Sequence, residues 1–150
     1  MVIRSRLVVW LTAVLMFAPF TVSWSQDGSD EKPFAETYLA LQLSDQENES
    51  AVLDVANNVI KHYGGPDLID IEIVTFGPGV RLLFEDGKYQ SRVSSLVDNG
   101  VRFYICENTL DSIERNSGSR PKINPNAIPV KAGVVKLIES VAKGYTLVRP

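Results

Sequence analysis

Cys106 is the single cysteine of the chain, and it ends an apolar, β-branched run (VRFYIC, 101–106) directly before a stretch that starts a helix (ENTLDSI, 107–113). A thiol at the carboxyl end of a strand faces the edge where open α/β sheets gather their chemistry. The partial positive charge of a following helix N-terminus favours thiolate over thiol, and thiolate is the nucleophile. With no second cysteine, a mixed disulfide has no resolving partner, so dithiol oxidoreduction is disfavoured and single-thiol chemistry remains. Free cysteine is also among the most buried residue types, and a packed, inert Cys106 fits the same pattern.

The other candidate residues would act around that thiol. Asn108 or Thr109 is placed to cap the following helix, with Asp111 completing the pattern, and would orient amides that stabilise an anion on sulfur. Gly77 and Gly79 flank Pro78 in a turn whose backbone could approach a bound anion or simply reverse the chain. Arg102 shares the strand parity of Cys106, but four residues at about 3.3 Å each separate them by roughly 13 Å, too far for direct pairing. Arg115, Arg120 and Lys122 belong to a breaker-rich stretch that could fold over the thiol or remain solvated. His62, the only histidine, falls in the last turn of a helix, where a protonated imidazole suits the dipole. One Cys and one His among scattered carboxylates give no metal-ligand spacing, and dinucleotide and nucleophile-elbow motifs are absent, so no cofactor is expected.

The elements that must position these residues follow from periodicity. Residues 38–43 and 69–76 read as strands, the second rich in β-branched side chains. Ser44 and Glu47 have capping-box spacing ahead of a helix that buries Val52, Val55, Ala56, Val59 and Ile60 and stops at Gly64, Gly65 and Pro66. Pro78 suits the first position of a short helix. Tyr89, Val93, Leu96 and Val97 mark a further amphipathic helix closed by Asn99 and Gly100. Residues 116–126 read as a long loop. Val134, Leu137, Ile138 and Val141 mark a last helix, with a final strand at 145–148. Strands and helices alternating at this spacing predict a parallel sheet covered on both faces, with the turn after Phe76 and Cys106 opening on one edge.

Arg4 and Arg6 precede an apolar run at 7–22, with small residues Ser23 and Ser25 beyond it, which predicts a signal peptide over 1–25 and a periplasmic or secreted protein. An uncleaved membrane anchor is the alternative. A polar leader at 26–35 precedes one domain at 36–150. Beyond residue 25 there are 13 basic residues (15 less Arg4 and Arg6) against 18 acidic, a formal charge of −5. That balance argues against nucleic acid or anionic lipid as a partner.

Three segments, IEIVTFGPGVRLL (71–83), NGVRFYICENTL (99–110) and the ending from Gly133 through Gly144 and Tyr145, resemble the DsrE family over nearly the whole chain beyond the leader. The resemblance implies a three-layer α/β/α fold with a parallel five-stranded sheet and a homo-oligomer. It also implies sulfur relay, with Cys106 at the position that accepts a sulfane sulfur as a persulfide. Its partners would be sulfur donor and acceptor proteins or small polysulfides. Many relatives carry His where this chain has Phe76, and the relay members are cytoplasmic, whereas this chain reads as exported. Two alternatives are a non-catalytic binding or assembly module with a buried Cys106, and a redox sensor that forms a sulfenic acid.

Overall fold

Every residue of the strand Ile69–Thr75 is buried, because it lies at the centre of a sheet covered on both faces. The structure, a computed structural model, describes residues 32–150; the expected signal peptide, the alternative anchor and most of the leader lie outside the described residues. The elements are β1 (Thr37–Leu43), α1 (Glu49–His62), β2 (Ile69–Thr75), a 3-10 helix (Gly77–Leu83), α2 (Gln90–Asp98), β3 (Arg102–Cys106), α3 (Glu107–Ser117), β4 (Ala127–Val130), α4 (Gly133–Ala142) and β5 (Thr146–Val148). The five strands run parallel in the order β4-β3-β2-β1-β5. This is the α/β architecture expected. No helix among the described residues is long and apolar enough to cross a membrane.

Strand parity divides the sheet into two unlike faces. Leu39, Leu41, Ile71, Ile73, Phe103 and Ile105 point to one face, where α1, the 3-10 helix, α2 and α3 bury the main core. The other face carries Ala40, Val74, Asp70, Glu72, Arg102, Tyr104 and Cys106, and α4 covers it. The chain leaves β4 at one edge and must reach β5 at the other, so α4 passes over β3, β2 and β1 on the way.

Several local expectations change. α1 starts at Glu49, and its N-cap Asn48 makes no side-chain cap bond. In place of a capping box, Asp45 accepts the Asn48 N–H at 3.1 Å, closing a turn before the helix. The expected loop at 116–126 is shorter, since α3 continues to Ser117 and ends on Gly118 in the left-handed conformation (φ 79°). β4 then begins at Ala127, unassigned from sequence because Pro129 reads as a breaker; an edge strand tolerates it. The leader is held at its end, where Lys32 Nζ donates to the carbonyls of Pro66 (2.5 Å) and Asn99 (2.9 Å).

The apolar stripe that marks α4 in the sequence faces outward. Val134, Ile138 and Val141 are 53%, 63% and 48% exposed, and only Leu137 of that set is buried. The inward positions are Gly133, Lys136, Leu137 and Ser140, because the sheet face beneath is polar.

Candidate functional site

β3 passes into α3 without a loop. Cys106 is the last residue of the strand and also the N-cap of the helix (φ −75°, ψ 112°). This overturns the expected cap at Asn108 or Thr109, which both lie in the first turn of α3. The cysteine is 5% exposed and sits on the α4 face, under the first turn of that helix. The absence of a side chain at Gly133 permits the approach: a Cβ there would lie 3.0 Å from Phe76 Cδ1, 3.1 Å from Phe76 Cβ and 3.4 Å from Cys106 Cβ.

Burial pushes the Cys106 thiol up, but the nearby Thr109 hydroxyl and the amides of Gly133, Thr109 and Asn108 outweigh it and leave the group below the ordinary thiol range, although the sulfur makes no side-chain cap hydrogen bond to α3. The Asn108 amide also donates to the Lys131 carbonyl at 3.2 Å, so its share in the sulfur is the smallest. Thr109 is doubly committed. Its oxygen accepts the Gly77 N–H at 3.1 Å, which leaves the hydroxyl hydrogen for sulfur. The N-termini of two helices, α3 and α4, therefore converge on one buried sulfur, and both dipoles favour negative charge there.

Of the residues singled out in the sequence, Cys106, Thr109, Asn108 and Gly77 are brought together. Gly77 takes a positive φ of 53°, which lets its amide reach Thr109. Gly79 has a different role: a Cβ there would sit 2.5 Å from the Leu43 carbonyl oxygen, so its bareness serves the packing of the turn on β1. Arg115, Arg120 and Lys122 form no lid. Arg120 pairs with Asp111 (2.5 Å) and Glu114 (3.3 Å), Lys122 lies 3.7 Å from Glu85, and Arg115 donates to Ser112 at 2.8 Å. His62 is exposed and edge-on to Tyr63. No group of three or more His, Cys, Asp or Glu among the described residues could hold a metal ion.

Two features of the site escaped sequence reading. Gly133 entered only as the start of the closing segment that resembles the DsrE family, and its contact with Cys106 depends on a crossover spanning the sheet. The second is a buried ionic cluster on the same face. Arg102 Nη2 reaches Asp70 Oδ2 (2.9 Å), Glu72 Oε1 (3.1 Å) and the Tyr145 hydroxyl (2.8 Å), and Tyr145 donates to Asp70 at 2.8 Å. Burial works against the Arg102 cation, and its bonds to Asp70 more than offset this, so it stays firmly charged. Alternating acidic residues on a β-branched strand, with a single Arg on its neighbour, are the signal that could have revealed it.

An open groove of about 490 Å³ lies where α4 meets the ends of β1 and β5, lined by Gln42, Phe76, Leu137, Ile138, Val141 and Leu147 among others. Phe76 forms the boundary between groove and sulfur, packed on Gly133.

Comparison with known proteins finds a solved structure of similar chain, the protein of unknown function MTH1491 from Methanobacterium thermoautotrophicum. It is 33% identical, the match covers 75% of this chain and 99% of that one, and the TM-score is 0.59. The chain belongs to the family of MTH1491. A second solved structure, BT1422 from Bacteroides thetaiotaomicron, is 16% identical over 80% of this chain and 100% of that one, with a TM-score of 0.52, and shares the fold. It too is described as a conserved protein of unknown function. No family model and no curated protein matches the chain. Kinship with MTH1491 spans the α/β domain, so the functional reading rests on the geometry around Cys106.

Proposed function

We propose that the protein is a sulfur carrier of the DsrE type, exported, in which Cys106 accepts and surrenders a sulfane sulfur. The observation that carries this reading is the placement of a lone, nearly buried sulfur at the N-cap of α3 and beneath the first turn of α4, an arrangement that favours an anionic sulfur and that inert packing does not require. The Cys106 thiolate attacks the outer sulfur of a persulfide or polysulfide. The sulfur–sulfur bond of the donor breaks, the donor leaves as a thiolate or shortened polysulfide, and Cys106 carries the persulfide. An acceptor thiolate then attacks that outer sulfur and Cys106 leaves as thiolate, so no external oxidant or reductant is consumed. Phe76, where relatives have His, supplies an apolar wall in place of a proton donor, so the donors to sulfur are those of the backbone and Thr109. Small inorganic polysulfides fit the narrow access of a residue 5% exposed.

Intact-protein mass spectrometry before and after polysulfide exposure tests the reading. One added sulfur, removable by reductant and absent from Cys106→Ser, is the expected result. No addition, with a thiol that alkylates only on unfolding, would sink it in favour of the assembly module.

The exposed apolar stripe of α4, continued by Leu147 (44% exposed) and Val148 (38%) on the edge strand β5, supports a homo-oligomer, since monomers seldom leave such a patch open. Ile138→Glu is expected to shift the mass in analytical ultracentrifugation toward that of one chain, while a single-chain mass for the unaltered protein would remove the proposal.

A further inference from the structure

α4 holds the sheet by very little grease. Its inward positions are Gly133, Lys136, Leu137 and Ser140, of which only Leu137 is a large apolar side chain. An apolar contact of that kind is non-directional and tolerates sliding. Hydrogen bonds to a buried charge do not. Glu72, at the centre of β2 and 5% exposed, receives Lys136 Nζ at 2.6 Å and the Ser140 hydroxyl at 2.6 Å, both on Oε2. Its other oxygen, Oε1, receives Arg102 at 3.1 Å and the Tyr104 hydroxyl at 3.4 Å. Lys136 Nζ also donates to Ser140 Oγ at 2.9 Å and stands 4.3 Å from the centre of the Tyr104 ring.

Lys136 and Ser140 lie four residues apart on one face of the helix, and both converge on the same carboxylate oxygen. Moving α4 by one residue along its axis, about 1.5 Å, would break both bonds. Gly133 is one turn before Lys136, so the same bonds fix where its amide lies relative to Cys106. We propose that Glu72, Lys136 and Ser140 form a register lock that holds the first turn of α4 over Cys106, which makes them positioning residues for the thiol.

The lock keeps its charge pattern while the thiol titrates. Burial pushes Glu72 up, but the bonds from Lys136 and Ser140 outweigh it and hold the carboxyl below the usual range. Burial, followed by Glu72, raises Tyr104, and burial with the bond to Asp70 raises Tyr145. Asp70, on β2, faces the same cluster through Arg102. Lys136→Met also deletes a positive charge on the Cys106 face, so the neutral change Ser140→Ala is the one that reports geometry.

The inference rests on Cys106 being a functional thiol, and its test reads the thiol directly, without sulfur transfer. The rate of alkylation of the full chain by iodoacetamide, followed by intact mass across pH, gives the midpoint of Cys106. Lys136→Met is expected to raise that midpoint by about one unit, a roughly tenfold loss of rate below it, and Ser140→Ala by about half a unit, a roughly threefold loss. Leu53→Ala, a buried position of α1 on the opposite face, is expected to lower the Tm and leave the midpoint in place. Should Lys136→Met fail to fold, Ser140→Ala removes one hydroxyl and carries the comparison. A midpoint unchanged in Ser140→Ala and in any folded Lys136→Met, with Tm lowered as in Leu53→Ala, would overturn the proposal and leave the cluster a structural one. A midpoint shift in a protein that takes up no polysulfide sulfur would instead sustain the lock and defeat the carrier reading.

Discussion

Arg102→Met is expected to destabilise the fold by about 3–5 kcal/mol, the usual cost of leaving buried charge unpaired. The Asp70 side chain is fully buried and that of Glu72 is 5% exposed, and Arg102 stands 2.9 Å and 3.1 Å from them. Methionine fills much of the volume and supplies none of the donors. Urea unfolding should show the loss, and adding Asp70→Asn should recover most of it, because Asp70 is the carboxylate that loses its ion-pair partner while Glu72 keeps Lys136 at 2.6 Å. The pH dependence has a definite sign. In the unaltered protein the Glu72 pKa is depressed, so its stabilisation is present above the unfolded carboxyl pKa and is lost as pH falls through the folded value. A stability of the unaltered protein that did not fall from neutral to acid pH would contradict this account.

Gly133→Ala should slow alkylation of Cys106 near neutral pH about tenfold. The added methyl would lie 3.0 Å from the Phe76 ring and 3.4 Å from Cys106 Cβ, so the start of α4 must lift or Phe76 must give way. A hydrogen bond to a charged group contributes about 1.5–3 kcal/mol, and losing half of the upper figure is close to one pKa unit. The double variant with Phe76→Ala opens the space that the methyl needs and should return much of the rate. Rate loss without a change in midpoint would mean that the methyl blocks access and leaves the donor in place.

How far the sequence revealed this arrangement depended on whether the signal was local. β1, β2 and β3 were legible because apolar, β-branched runs bounded by turn residues have few alternatives. The 3-10 helix was legible because Pro78 at its start leaves little else. Cys106 at a strand end was read correctly for the same reason. Asn108 and Thr109 failed as caps because β3 enters α3 directly and the cysteine takes the capping position, a junction that propensity does not report. β4 was missed because Pro129 is a breaker everywhere except at an edge. α4 is the most instructive case. Its apolar period identified a helix, yet Val134 and Ile138 face outward because the sheet beneath offers Glu72 and Arg102 beside only a small apolar patch of Ala40 and Val74. The five-stranded parallel sheet came from resemblance and agrees with the structure; Thr109 and Asn108 were legible as neighbours of Cys106, whereas Gly133 was beyond both, since it reaches the cysteine only through the fold.

The crossover gives the thiol a history as well as a place. Thr109 and Asn108 come to Cys106 with α3, their near neighbours in sequence, but Gly133 arrives only when α4 has swung from β4 across to β5, the strand that closes against β1. Until then the sulfur has the groups of α3 beside it and lacks Gly133. The surroundings of the sulfur are thus completed by the crossover helix that ties one edge of the sheet to the other.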